Sequence, residues 1–198
     1  MSSTAMPALR TSQRPVQRGQ ALVEFALVLP VMMVVILGVV ELARLLQAWL
    51  AVENGARFGV RYAVTGEYNT AYCQALYGGA CDTIPKQDAA RLPSIKDAAR
   101  DGAVAILRDE TRPPGQPGFF KITVCSSKPG FSIRYSDTNA TNPTRWPSGC
   151  SPAEDAGDPG DRVLVTVDFE HPLIVPILST LWPEVRLTSS REGIVEEF

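Results

Sequence analysis

The sequence predicts an α+β protein built on one long N-terminal helix, and three observations carry that reading. The apolar residues are concentrated: Gln20–Val40 is a run of 21 residues whose only charge is Glu24. Beyond it polarity returns while a helical period continues, with Leu42, Leu45, Leu46, Trp49, Val52, Ala56, Val60 and Ala63 recurring every three or four residues. The remainder then breaks into short β-rich runs bounded by turn residues, preceded by one capped helical stretch.

Composition sets the outer limits. The chain has 198 residues, 45% of them hydrophobic and 20% charged, with a formal net charge of −2. These values exclude collagen, a coiled-coil rod, a disordered charged tail and a polytopic membrane protein. Because 19 basic residues are outnumbered by 21 acidic ones, a nucleic-acid partner is not expected.

Taken in order, Met1–Gly19 is a short basic leader, with Arg10, Arg14 and Arg18, no acidic residue, and too little apolar content to pack. A bilayer's hydrocarbon core of about 30 Å requires about 20 helical residues, so residues 21–40 suffice for a single span. The helix is expected from Ala21 to Val64, ending near Gly66, and residues 20–64 form its segment of the chain. Glu53 and Arg57 stand four apart in the favourable order on its amphipathic half. Ala51, Gly55, Gly59 and Ala63 make a stripe of small residues that permits close backbone approach. Either the chain's own sheet or a second helix could fill it, and the sheet is the favoured partner.

Residues 65–198 read as the α+β domain. Pro93-Ser94-Ile95-Lys96-Asp97 has the form of a capping-box start, with Ser94 as N-cap. Strands are expected at Phe119–Cys125, Phe131–Tyr135, Arg162–Phe169 and Val185–Val195. Between the second and third, 19 of the 26 residues in Ser136–Asp161 are Gly, Pro, Ser, Thr, Asn or Asp, which predicts a long exposed loop.

Three arginines before the span and mixed charges after it put the N-terminus in the cytoplasm and residues 65–198 outside. All four cysteines lie in the part so assigned to an oxidising compartment. Of three possible connectivities, Cys73–Cys81 would close a Gly-rich local loop and Cys125–Cys150 would tether the long loop to a strand; free thiols are the alternative. The close C-x-x-C pairs of a zinc site are missing from the sequence. The single histidine, His171, is expected to be structural or superficial rather than a catalytic base. Glu154, Asp155, Asp158 and Asp161 crowd one loop without EF-hand spacing and are expected to be solvated. No enzyme activity, cofactor, metal or small-molecule substrate is expected.

Glu24 is the sharpest feature. A carboxylate at mid-bilayer costs up to about 2.5–3.5 kcal/mol, less near the end of a span. One reading is a boundary residue reaching toward the headgroups. The other begins with Arg18-Gly19-Gln20-Ala21-Leu22-Val23-Glu24-Phe25. Cleavage after Gly19 would put a new amino group on Gln20, and that group could neutralise a buried Glu24 between neighbouring helices. The basic leader, Gly19 and the glutamate five residues on resemble the prepilin-peptidase site of type IV pilin-like proteins. The longer string GQALVEFALVLPVMMVVILGVVELAR, with Pro30 six residues after Glu24, resembles the TadE-like family of tight-adherence (Tad) pilus proteins. The valine-rich run Val163–Phe169, then His171-Pro172-Leu173 and a closing strand ending at Glu196-Glu197, matches the family more loosely, and residues 136–161 are longer and more polar than its compact members carry.

The resemblance implies a pilin-like fold, a long helix packed on a small antiparallel sheet with one additional helix. It implies a minor pilin or pseudopilin needed to assemble an Flp-type pilus used in adhesion. Gly19 and Gln20 would then flank the processing site, Glu24 and Phe25 would serve assembly and recognition, and Pro30 would kink the helix. The implied partners are a prepilin peptidase, other Tad pilins and pseudopilins, an inner-membrane assembly platform and membrane lipid. The implied location is the bacterial cytoplasmic membrane, crossed once.

Overall fold

Small residues line the crossing of the long helix over the rest of this fold, because that helix approaches both another helix and a sheet closely. The computed structural model describes residues 18–131, 147–175, 179 and 185–196. It contains helices α1 (Arg18–Val64), α2 (Thr70–Tyr77) and α3 (Ile84–Gly102), and strands β1 (Phe120–Ser126), β2 (Arg162–His171) and β3 (Val185–Ile194). The architecture is α+β. The chain divides into two units, Met1–Val40 and Glu41–Phe198.

In the second unit the three strands pair antiparallel in the order β1-β2-β3, with β2 central. Register sets one face: Phe120 opposite Phe169, Ile122 opposite Val167, and Val124 opposite Val165. These side chains are buried with Ala48, Val52 and Ala56 of α1 and with Ile95 and Ala99 of α3 in a single core. Period-2 alternation put Val163, Val165, Val167 and Phe169 on one face, and all four are buried.

The small-residue stripe faces both the sheet and a helix of the same chain. A Cβ on Gly59 would lie 2.8 Å from Ala99 Cβ and 2.8 Å from Val165 Cγ1. One on Gly55 would lie 2.9 Å from the Ala99 carbonyl oxygen, and one on Gly102 would lie 2.8 Å from Phe58 Cβ. Glycine is therefore required from both helices at this crossing. On the strand side, Gly193 of β3 lets Val64 come close, since an added Cβ would meet Val64 Cγ1 at 2.5 Å.

A helix end leaves carbonyls without intrahelical donors. At the end of α1, the Tyr62 oxygen accepts from Thr65 N and Oγ1, and the Val64 oxygen accepts from Glu196 N at 2.8 Å. The Ala63 oxygen accepts from Gly66 N and from the buried guanidinium of Arg91. Gly66 has φ 71, which lets the chain leave the helix at the expected place. Arg91 also donates to Gly157 O at 2.5 Å and Ala156 O at 3.3 Å, so one cation joins α1, α3 and the loop before β2.

Three sequence expectations need correction. The helix expected to be capped by Ser94 starts eleven residues earlier, with Thr83 as N-cap, and runs through Pro93. Proline in a helix interior loses one hydrogen bond and strains the preceding turn. Here tertiary packing outweighs that cost, because Ala90, Arg91 and Ser94 around it are all buried. Ser94 Oγ donates to Ala90 O at 2.7 Å instead of capping, and accepts from Asn69 N at 2.9 Å. Second, α2 adds a helix to the one anticipated. Its signals are local: Asn69 Oδ1 accepts from Ala71 N at 2.9 Å, and Gly78 takes the left-handed cap with φ 68.

Third, the part of the long loop within the described residues is only partly exposed: Pro152, Ala153, Pro159 and Gly160 face solvent while others pack on the fold. Ala156 is buried in the main core, and Ser148 is buried against the sheet's second face. There Ser148 O accepts from Lys121 Nζ and Thr123 Oγ1, while Ser148 N donates to Asp168 at 2.7 Å. Residues 136–146 lie outside the described residues, as do 132–135 of the expected strand Phe131–Tyr135, residues 1–17 of the leader, and Trp182.

Candidate functional site: the N-terminal helix and its carboxylates

In the first unit, α1 carries the residues that the sequence singles out around Gly19. Arg18 is its first residue, so Gly19, Gln20, Glu24 and Phe25 all have helical backbone. Four residues separate Gln20 from Glu24, which puts both on one face, one turn apart. A cut after Gly19 would leave Gln20 at a helix N-terminus and Glu24 in the second turn, near the positive end of the helix dipole. Gly19 and Gln20 are exposed, and nothing lies within 4 Å of a Cβ added to Gly19. Leu22 is 70% exposed and Phe25 62%. The helix continues through Pro30, whose ring nitrogen donates no hydrogen bond to the ladder.

Gly19–Val64 is a helix long and apolar enough to cross a membrane, and none of its most apolar 18-residue window is buried. A buried core helix of that composition would bury it. Phe25, Leu27, Val31, Met32 and Val35 are each more than half exposed, so the stretch is a surface suited to an apolar solvent.

In the second unit the first residue, Glu41, is 5% exposed. Its carboxylate accepts from Arg44 Nη1 at 3.2 Å, His171 Nε2 at 3.3 Å and Ile174 N at 3.3 Å. A buried carboxylate needs such partners. His171 ends β2 and is itself 3% exposed, so it is structural and not superficial. Burial holds its pKa below 6.5, against the pull of Glu41. A neutral imidazole bonded to Glu41 fastens the end of the central strand to the helix. The sequence did not single out Glu41; its position directly after an uncharged run is the only signal it gives.

Further along, Glu53 pairs with Arg57 at 3.0 Å, as the spacing predicted, and also with Arg191 and Ser189 of β3. The four loop acids are likewise occupied by the fold and not simply solvated. Glu154 accepts from Lys96 Nζ at 2.5 Å, Asp155 from Ser126 Oγ at 2.5 Å, and Asp158 from Lys128 Nζ at 3.0 Å. Asp161 accepts from Asp158 N at 2.9 Å. Each serves a different neighbour, which suits structural pins and not convergence on a cation.

The cysteines stand in the two pairs favoured by the sequence. Sγ of Cys73 and Cys81 are 2.05 Å apart, and those of Cys125 and Cys150 are 1.98 Å apart. The first pair binds α2 to the turn before α3; the second binds residues 147–151 to β1.

Residues 19–61 match the family model of the TadE-like proteins. The N-terminal segment of this chain is thus similar to that family. The match begins at Gly19 and covers the apolar run, Glu41 and the small-residue stripe as far as Arg61. No curated protein and no solved structure matches.

Proposed function

We propose that this chain is a minor pilin or pseudopilin of a tight-adherence pilus, cut after Gly19 by a prepilin peptidase and held in the cytoplasmic membrane by Gln20–Val40. The observation that carries this reading is the TadE-like match beginning at Gly19, on a helix whose apolar run Gln20–Val40 has Glu24 as its only charge. The basic leader sits on the cytoplasmic side and the folded unit outside. The protein acts as a structural component, not a catalyst. The new amino group on Gln20 neutralises Glu24 of a neighbouring helix, which removes much of the desolvation cost of assembling such helices side by side. Other Tad pilins and the inner-membrane platform are its partners. The 179 residues left after cleavage (198 − 19) carry a bulky folded unit, which fits a tip, base or initiating complex better than a densely packed shaft.

N-terminal sequencing of the mature protein tests this directly. Gln20 at the terminus is the expected result. An intact Met1 would replace it with an uncleaved single-pass anchor, and a start beyond Val40 with a secreted protein. Gly19→Leu should abolish processing. Glu24→Ala should leave processing largely intact and impair piliation; unchanged piliation would refute the pairing role of Glu24.

A further inference from the structure

The chain between α3 and β1 displays apolar side chains where a soluble surface would carry polar ones. Val104 is 63% exposed and Leu107 74%, and Ile174, just after β2, is 64% exposed. Single exposed apolar residues are ordinary. Leu107 and Ile174 are gathered at one end of the second unit, the end at which the chain enters it, whereas Val104 follows Ala103, which packs beside Gly55 farther along α1. Ala105 O accepts from Gln47 Nε2 at 3.4 Å, and Ile174 N donates to Glu41 at 3.3 Å. Arg44, Gln47, Ala105, Leu107, His171 and Pro172 line one shallow hollow there. At the same level of α1, Leu42 and Leu46 are 57% and 53% exposed.

The display is built rather than loose. Ala105 has φ 65, a conformation disfavoured for any residue with a Cβ. Arg108 Nη1 donates to Arg100 O at 2.6 Å and Ala103 O at 2.7 Å, and its guanidinium lies 5.2 Å from the Phe120 ring centroid. This clamp fixes the backbone that turns Val104 and Leu107 outward.

Connectivity identifies the occupant. Glu41, at this end of the unit, is joined by a single peptide bond to Val40, the last residue of the apolar run, so no linker separates the displayed residues from a bilayer surface. We infer that this end of the second unit is a membrane-resting face. Leu107 and Ile174 enter the interfacial layer of the adjacent leaflet, to a depth of about 5–10 Å. The inference rests on Gln20–Val40 being membrane-inserted, and it adds a second, peripheral attachment that fixes how the folded unit stands on the lipid.

The test uses the full chain in phosphatidylcholine/phosphatidylglycerol vesicles, with the disulfides intact and an environment-sensitive fluorophore on one added cysteine. The sites are Leu107→Cys, Ile174→Cys, Met33→Cys in the apolar run, and Ile84→Cys. Ile84 is 70% exposed and begins α3, a helix length of about 27 Å from Gly102. Nitroxide-labelled lipid should quench Leu107→Cys and Ile174→Cys several-fold more than Ile84→Cys, with Met33→Cys quenched as well. Quenching at Met33→Cys with Leu107→Cys and Ile174→Cys no higher than Ile84→Cys overturns the inference and leaves the anchor standing. No quenching at Met33→Cys removes the anchor, and the inference with it. Protection of Leu107→Cys that follows protein density and ignores lipid nitroxide also overturns it, in favour of a second copy on this face.

Discussion

The two halves of α1 have the same backbone and opposite side-chain logic. Up to Val40 its large apolar residues point outward and are exposed, including Leu22, Leu27, Val31 and Val39. From Glu41 onward most buried positions are small, with Ala48, Ala51, Ala56 and Ala63 beside Gly55 and Gly59, and Val52 and Glu41 as the larger exceptions. The difference teaches that one helix can be written for two solvents. Lipid receives bulk, because area facing hydrocarbon costs nothing to expose there. A protein neighbour receives small residues, because close approach of backbones is what gives contact. The charge at the junction follows the same division. Glu24 lies in the half without packing partners, whereas Glu41 and Glu53 are each satisfied by partners from β2, β3 or the segment after β2.

Glycine substitutions break the comparison most sharply. Gly38 and Gly59 are both helical, but nothing lies within 4 Å of a Cβ on Gly38, while Gly59 has Ala99 and Val165 at 2.8 Å. Gly59→Leu should lower the stability of the second unit by about 3 kcal/mol or more, since overpacking a tight crossing forces backbone shifts. Gly38→Leu should leave it unchanged. Urea midpoints of the full chain in mild detergent would check both. Equal midpoints for the two variants would show that the stripe tolerates separation and that the two halves do not differ as argued.

A smaller effect is expected where α1 is tied down at its far end. Arg91→Met keeps an unbranched buried side chain, shorter by two atoms, and removes the donors to Ala63, Ala156 and Gly157. Leaving buried carbonyls without a donor costs about 1–3 kcal/mol. The same denaturation should therefore shift by about 2 kcal/mol. Protease cleavage within residues 155–161 should rise with it, because that loop shares the same guanidinium. A stable protein with a protected loop would show that Arg91 fills space only.

Much of this was legible in the sequence because it is local. The span, the continuation of the helix to Val64, the three β-runs at Phe120–Ser126, Arg162–His171 and Val185–Ile194, and the Glu53–Arg57 pair all follow from periodicity and composition. The errors arose where tertiary contacts decide. Pro93 and Ser94 have the chemistry of a helix start, and only burial of Ala90 and Arg91 extends the helix behind them. The Gly/Pro-rich composition of 147–161 signals a loop, but not that Ser148, Glu154 and Asp155 bond to the sheet. Glu41 and His171 are 130 residues apart, and no local pattern links them.

That last pair sharpens the comparison by making one junction pH-sensitive. His171 is buried next to Glu41 at 3.3 Å, with Arg44 bonded to the same carboxylate. Burial is the largest influence and lowers its pKa from 6.5; the hydrogen bond to Glu41 raises it, and the Arg44 charge lowers it. The unfolded chain, with an ordinary imidazole, therefore binds a proton first as the pH falls. Stability rises with pH wherever the unfolded state holds more protons. The contribution of His171 is thus complete above the ordinary imidazole range and declines as the pH drops below 6.5 toward the folded value. In His171→Gln, which keeps a donor for Glu41 and cannot titrate, the loss of stability between neutral pH and mild acidity should be shallower than in the parent chain. Parallel curves of urea midpoint against pH would mean that the junction does not sense protons, and that Glu41 is held by Arg44 and Ile174 alone. Because this effect is confined to one end of β2, it should leave the behaviour of Gly38→Leu and Gly59→Leu unchanged, so the packing contrast and the proton response can be measured independently in one chain.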